Sequence, residues 1–584
     1  MGETFDKARH LIAANRLDEA RAILLRAVAG QSPDPDLANL LSVVLSRQGD
    51  NVRALYFARL SCRAAPDHPL LLNNLGNQEL ASGDLRAAAE SYGRAVALDP
   101  DLISARVGLT NALLASFDLD ECARVAREGL ARAPGEHRLT GQLAVCLLLA
   151  GRARDAVDLL REARRAAPDD PGVASALAAA CTYAGGIDDR DILEAHAAYG
   201  RLLERLDPGP YRPPPASPLG ARPLRLGLLS GDLRAHAVGF FVEPLLLHRD
   251  PARLWIACYS VAAIEDDVSR RFRGLADLWR AVSHEPIDRL ERTIRADRLD
   301  VLLDLSGHTS GHRLPVLHRR PAPITATYFG YPNTTGLRAC DVRLVDSHTD
   351  PPGSDHLATE RLVRLDPCFL CYRPPAPAPP VASPPCLGSG RVTFGSFNAI
   401  AKLDDLTIDL LARTLATVPG SRLLLKAHAL RNQGVRADVR ERLERAGIAP
   451  DAIALEGPGE GAAEMLAHYA RMDVMLDSFP YHGTTTTCEA LFMGVPVITL
   501  AGSSCRARVG LSILRNAGLG DLVADTPEAF ARLAADLVAD QPRLAGLRGS
   551  LRDRLLASPA CDGPGFASRF TDALRTLVPP SATP

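Results

Sequence analysis

The chain has 584 residues, 47% of them hydrophobic and 23% charged, with a formal net charge of −2. At about 100–200 residues per domain, that length holds three or four domains, each able to bury its own core. The 67 basic and 69 acidic residues nearly cancel, which argues against a dedicated nucleic-acid coat, because phosphate binding needs a net basic face. No apolar run approaches the roughly 20 residues that span a bilayer. The opening stretch, MGETFDKARHLIAANRLDEA, has neither a long apolar core nor a small-residue cleavage site, and 12 cysteines are too few for a disulfide scaffold. These features predict a soluble, cytoplasmic, multi-domain protein with no membrane or nucleic-acid partner.

In chain order, the first feature is a repeat of 34 residues, marked by Asn15, Gly49, Gly83, Phe117, Gly151 and Gly185. Five residues after each of the first five marks stands a small residue: Ala20, Ala54, Ala88, Cys122 and Ala156. Pro66, Pro100, Pro134 and Pro168 keep the same interval. The pattern predicts a helix, a tight turn, a second helix packed closely through the small residue, and a proline that stops it. One such hairpin cannot bury its apolar face alone, so neighbours stack into a solenoid. Length, turn and proline positions resemble the tetratricopeptide repeat over residues 1–206. Such an array holds a protein or peptide in its groove, or serves to dimerise the chain or to prop the next domain. In O-GlcNAc transferases the repeats carry an asparagine ladder. The corresponding positions here are Leu40, Asn74, Gly108, Gln142 and Ala176, so only Asn74 fits.

A proline-rich joint, DPGPYRPPPASPLGARP, precedes strand-like runs in RPLRLGLLSGD, RLWIACYS, LDVLLDLSGHT, APITATYFGYP and ACDVRLVD. A second such stretch, YRPPAPAPPVASPPCLGSG, leads to RVTFGSFN, RLLLKAH, IALEG, MDVMLD and VPVITLAG. Strands separated by helices predict two doubly wound, Rossmann-like lobes, 222–371 and 389–560, followed by a helix and tail over 561–584. Two such lobes around a cleft form the GT-B arrangement of sugar-nucleotide transferases. The fold class is therefore α + α/β, an N-terminal α-solenoid followed by a GT-B fold, with chemistry expected at the carboxyl ends of the strands.

The segment 472–502 is the richest in chemistry. Asp477 ends a strand, His482 and Gly483 open a loop, and Thr484, Thr485, Thr486 and Thr487 lead into a helix containing Glu489. Consecutive threonines at a helix start offer hydroxyls and unpaired amides to a phosphate, and Glu489 is suited to accept ribose hydroxyls. In GSFNAIAKLDD, Asn398 and Lys402 follow a strand. Lys402 is one of only three lysines, Lys7 and Lys426 being the others. A lysine retained in an arginine-rich chain points to a compact ammonium that neutralises a departing diphosphate. His236, in SGDLRAHAVGFF, lies in a strand-end loop where it could act as base or orient an acceptor hydroxyl, with Asp232, Asp266 and Asp267 as further candidates. Cys368 and Cys371 form a single CxxC and His308, His312 and His318 a loose set; neither has the spacing of a metal site.

Taken together, these motifs resemble the bacterial SPINDLY-like branch of the O-GlcNAc transferase family (glycosyltransferase family 41), over essentially the whole chain. The resemblance implies that Lys402 is the catalytic lysine and His236 the active-site histidine. It places Thr485 and Thr486 on the diphosphate, Glu489 on the ribose, and Asn398, Thr484 and Arg508 with the nucleotide-sugar. It also assigns His308, Arg313, Tyr331 and Pro332 to the sugar and acceptor side. Departures from relatives are Cys505 for histidine, Ala399 for glutamine, Ser310 for lysine and Asn333 for glycine. The implied activity is an inverting, metal-independent transfer of a sugar to Ser or Thr hydroxyls of a protein acceptor selected by the repeats, with UDP-GlcNAc as donor and no cofactor. GDP-fucose, or a nonulosonic acid transferred to flagellin, are the alternatives within that fold, and a catalytically inactive adaptor is the alternative from another class.

Overall fold

The computed structural model describes residues 2–29, 34–209, 211–262, 265–283, 285–459 and 461–578. The chain divides into two compact units, Met1–Cys146 and Leu147–Pro584.

The first unit is built of helix pairs. Gly2–Ala13, Pro35–Arg47, Pro69–Ala81 and Ile103–Ala115 each turn back into Leu17–Ala27, Asn51–Ala64, Leu85–Leu98 and Leu119–Arg132. The turn marks all have positive φ: 56° at Asn15, 84° at Gly49 and Gly83, and 61° at Phe117. Glycine suits that conformation without strain, which is why it recurs there. Ala20, Ala54, Ala88 and Cys122 are fully buried between the paired helices, as expected of small residues at a close approach. Asp50, Asp84 and Asp118 also recur at the same interval and cap the second helices, accepting from the N–H groups of Arg53, Ala87 and Glu121. An amide row runs along the first helices: Asn74 Nδ2 donates to Asn39 Oδ1 at 3.0 Å, and Gln142 Nε2 to Asn111 Oδ1 at 2.6 Å.

The second unit contains the helices Ala153–Ala166, Pro171–Tyr183 and Asp189–Leu206 and both lobes. Gly151 keeps the turn, with φ 80°, but the next positive φ falls on Gly186 (67°) rather than on Gly185. The helix Pro171–Tyr183 ends in extended backbone at Ala184, which displaces the turn by one residue.

The first lobe holds β1 (Leu224–Ser230), β2 (Leu254–Ser260), β3 (Leu278–Ala281), β4 (Val301–Asp304), β5 (Ile324–Thr327), β6 (Val342–Val345) and β7 (Arg361–Arg364). They form one parallel sheet in the order β3-β2-β1-β4-β5-β6-β7. The second lobe holds β8 (Thr393–Ser396), β9 (Arg422–Lys426), β10 (Ile453–Glu456), β11 (Val474–Leu476), β12 (Val497–Leu500) and β13 (Val523–Ala524), parallel in the order β10-β9-β8-β11-β12-β13. The ten strand-like runs of the sequence all form strands. β3, β7 and β13 escaped the sequence reading because they are short edge strands without a continuous apolar run. Strand order reverses at β1/β4 and at β8/β11, where ligands of such sheets bind.

The last helix, Gly563–Leu577, returns to the first lobe. Arg253 pairs with its Asp572 at 2.6 Å, and its Phe570 ring lies against Tyr328. The tail beyond residue 578 lies outside the described residues. Among those described, no helix is long and apolar enough to cross a membrane.

Candidate active site

At the β8/β11 switch point the chain leaves β11 into Asp477, which is 1% exposed. Its Oδ1 accepts from the N–H groups of Ser478 (2.9 Å) and Gly483 (2.8 Å) and from Asn398 Nδ2 (3.1 Å), and its Oδ2 from Thr499 Oγ1 (2.9 Å). One carboxylate thus folds the loop 478–483 back on itself and ties it to both neighbouring strands. The loop delivers the helix Thr485–Phe492 with its start at the strand ends. The backbone N–H groups of Thr484–Thr487 meet no acceptor among the described residues. Four free donors at the positive end of a helix form an anion cradle.

The four threonines divide their work. Thr487 donates to Gly483 O at 3.1 Å and Thr486 to Asn398 Oδ1, so these hydroxyls hold the loop. Those of Thr484 and Thr485 have no partner among the described residues. Asn398 is buried with its amide fully engaged by Thr486, Asp477 and Ser478, and so braces the cradle. A Cβ on Gly483 would lie 2.4 Å from Thr486 Oγ1 and 2.6 Å from Asn398 Oδ1. Only glycine fits there.

Lys402 ends the short turn Ile400–Lys402 after β8. Its Nζ donates to His482 O at 2.7 Å and sits 4.1 Å from the centre of the Tyr481 ring. Burial pushes the ammonium down to about 8, against the pull of Asp477. The lysine and the threonine cradle therefore meet on one loop. Glu489, on the cradle helix, accepts from Tyr469 Oη at 3.0 Å, and burial raises its carboxyl to about 7. His482 is buried, with Nε2 donating to Leu500 O (2.9 Å) and Nδ1 accepting from Gly510 N–H (3.1 Å). Burial lowers its pKa, so it is a neutral fastener of the loop.

On the first lobe, His236 caps the helix Ala237–His248, its Nδ1 3.4 Å from Val238 N and 3.6 Å from Asp232 Oδ1. The side chain is 42% exposed at the end of β1, and Nε2 has no partner among the described residues. Asp266 fixes this loop by accepting from Ala235 N–H at 2.7 Å, whereas Asp267 is exposed and pairs with Arg270.

His308 and Tyr331 are buried and engaged within the protein. His308 Nε2 donates to Thr335 O (2.9 Å), and its Nδ1 lies 2.8 Å from Ser175 Oγ, which also lies 2.9 Å from His312 Nε2. Tyr331 Oη bonds Thr182 Oγ1 (2.7 Å) and His196 Nε2 (2.8 Å). Both residues thus bind the first lobe to the helices Pro171–Tyr183 and Asp189–Leu206. Arg313 donates to Ser283 O at 2.6 Å. Arg508 bridges the lobes, donating to His348 O (2.8 Å) and Gly502 O (2.9 Å). Tyr331 and Pro332 line a small cavity with Tyr481, Thr484 and Cys505 of the other lobe.

Lys402, Asn398, the threonines and Glu489 are thus assembled at one switch point, while His308 is engaged at both ring nitrogens, Arg313 through one terminal nitrogen and Arg508 through Nε and one terminal nitrogen. Sequence reasoning missed the roles of Asp477, Tyr469, Tyr481 and Ser175. An aspartate ending a strand and an aromatic beside the loop were visible, but nothing local shows which groups they meet. Among the described residues, no group of three or more His, Cys, Asp or Glu is arranged to hold a metal ion.

The glycosyl transferase family 41 pattern matches residues 194–371 and 385–569, which include every strand and the whole cradle. The chain belongs to this family. A tetratricopeptide repeat pattern matches residues 113–180 ahead of the family 41 region. A solved O-GlcNAc transferase of Thermobaculum terrenum, in a point-variant form, superposes with a TM-score of 0.82 and 34% identity, covering 87% of this chain and 97% of that one. The probable UDP-N-acetylglucosamine–peptide N-acetylglucosaminyltransferase SPINDLY of Arabidopsis thaliana is 39% identical over 396 residues, 67% of this chain and 43% of the plant protein. The Arabidopsis SEC protein, described by the same activity, is 27% identical over 388 residues, 64% of this chain and 39% of that one. The matched stretch spans less than half the length of these plant relatives.

Proposed function

We propose that the protein is an inverting, metal-independent glycosyltransferase that moves a sugar, GlcNAc from UDP-GlcNAc, to Ser or Thr hydroxyls of a protein acceptor chosen by the repeats. The single observation that carries this reading is Lys402 bonded to the loop whose free amides open the helix Thr485–Phe492. An ammonium beside an amide cradle neutralises a departing diphosphate without a metal. Glu489 receives the ribose, Asn398 braces the cradle, and His236, with a free Nε2 at the opposite strand end, faces the acceptor hydroxyl. Tyr331 and Pro332 wall the sugar side, and the amide row of Asn39, Asn74, Asn111 and Gln142 offers polar groups to an extended peptide. A site in the cytoplasm accords with a nucleotide-sugar donor.

A thermal-shift panel of UDP, GDP and CMP, each with EDTA, on wild type and Thr485→Ala tests this. A ligand at about 100 times its Kd stabilises by about 2.7 kcal/mol, a shift of a few degrees. A UDP shift that survives EDTA and is lost in the variant supports the reading. A shift with GDP or CMP alone overturns the donor and keeps the site, and none at all overturns the transferase in favour of an adaptor.

A further inference from the structure

The last repeat does more than lead the chain to the lobes. Residues 181–184, where the helix Pro171–Tyr183 ends, are gripped from both sides. Arg506 of the second lobe, 4% exposed, donates through one guanidinium nitrogen to the carbonyls of Cys181 (3.1 Å), Thr182 (2.8 Å) and Ala184 (2.9 Å). From the first lobe, Tyr331 bonds Thr182 at 2.7 Å. Between these two anchors stands Tyr183, whose ring centre lies 4.6 Å from that of Tyr481, the planes inclined at 41°. The Tyr481 ring in turn lies under the Lys402 ammonium at 4.1 Å. A continuous stack therefore runs from a helix of the repeat array to the ammonium of the proposed site.

We infer that Tyr183, although supplied by the last repeat, is a positioning residue for Lys402: its ring backs Tyr481, and Tyr481 backs the ammonium. The inference rests on the proposed role of Lys402. A ring face attracts a cation only while the ring is held in place, and the attraction grows as water is excluded. Tyr481 stands in the buried loop 478–483, half-buried itself, so its orientation depends on what packs against its ring. Tyr183 is that packing, and the carbonyl clamp of Arg506 keeps it from withdrawing. The two rings contribute to the burial of the ammonium, and burial is what lowers its proton affinity. The other groups around Lys402 are Asp477, which favours the proton, His482, which is buried and neutral, Asp404 at the start of the next helix, and Arg508 beyond His482.

Because the chain has only three lysines, Lys402 can be titrated directly. Competitive acetylation of the full chain across pH 6.5–11, followed by peptide mass spectrometry, gives the pH at which Lys402 becomes nucleophilic without any ligand. Wild type and Tyr183→Phe, which keeps the ring, should titrate near 8. Tyr183→Ala should titrate at least about one unit higher as water reaches the ammonium. Tyr481→Leu should shift in the same direction, and the double variant no further than Tyr481→Leu alone. Should Tyr183→Ala lose its cooperative melting, Tyr183→Leu, which keeps the apolar volume without the ring face, takes its place. The same Lys402 titration in wild type and in the folded Ala or Leu variant would overturn the inference. UDP affinity at pH 7.5 supplies the second readout, expected to weaken about threefold to tenfold in the Ala variant and to be restored in the Phe variant. A shifted lysine in a protein that binds no nucleoside diphosphate would uphold the positioning and refute the transferase reading.

Discussion

The Asp477 carboxylate holds the Gly483 N–H at 2.8 Å, and this bond turns a strand end into an anion cradle. The loop between them closes over a single buried charge, so the amides that follow are left unpaired and aimed at the cleft.

Replacing Gly483 by alanine tests how tightly that loop is built. The new methyl would lie 2.4 Å from Thr486 Oγ1 and 2.6 Å from Asn398 Oδ1, and both would have to move. The variant should be less stable by about 1–3 kcal/mol and bind its nucleotide at least roughly tenfold more weakly. Chemical denaturation and calorimetric titration measure the two effects separately.

Lys402 carries a pH signature. Its folded pKa of about 8 lies below the ordinary lysine value of 10.5, so the folded state releases its proton first. Stability from this group is therefore lowest below pH 8 and rises with pH through the window from about 8 to 10.5. In the proposed reaction catalysis runs the other way: the ammonium is the form that would neutralise the diphosphate, so turnover should fall as pH rises through the lysine's titration. Lys402→Met should remove the rise in stability, leave the fold intact and lower turnover about 10²–10³-fold. A melting series and a rate profile across pH 7–10 check both.

Glu489 gives the opposite acid-side signature. Its carboxyl is raised from 4.5 to about 7, so the folded state holds the proton more tightly and stability falls as pH rises from about 4.5 to 7. With Glu489 in its proposed role of accepting the ribose hydroxyls, nucleotide affinity should rise over pH 6–8 in wild type. Glu489→Gln should flatten both trends and weaken binding at pH 8 about tenfold. Titration calorimetry at several pH values reads this directly.

Much of this arrangement was legible in the sequence. The 34-residue marks of Gly49 and Gly83 report a local backbone need, positive φ, that only a few residue types meet. Thr484–Thr487 and Lys402 stand at strand ends, and alternation of strands and helices fixes where strand ends gather. What stayed hidden depends on partners distant in sequence. His308 reads as a cleft residue until Ser175, from a repeat helix, is seen at its Nδ1. Nor does the sequence show that Arg508 donates to His348 of one lobe and Gly502 of the other. Arg506, two residues away, is chemically identical and clamps a helix end instead. The last repeats belong to the same compact unit as the lobes, a division that a proline-rich joint at 207–223 did not suggest.

The Ser175 contact predicts a purely structural effect. Ser175→Ala leaves a nitrogen on each of two buried rings, His308 and His312, without its partner. Stability should drop by about 1–3 kcal/mol while nucleotide affinity at low temperature stays unchanged. A denaturation curve together with a binding isotherm distinguishes this from a role in the site.

The most direct test of the central claim is transfer itself. The full chain, in EDTA, is given UDP-GlcNAc and a library of Ser- and Thr-containing peptides, and released UDP and peptide mass are followed together. The account predicts UDP release matched by a HexNAc increment on a Ser or Thr hydroxyl, lowered about 10²–10³-fold in Lys402→Met and strongly reduced in Thr485→Ala. Transfer at an undiminished rate in folded Lys402→Met would contradict it.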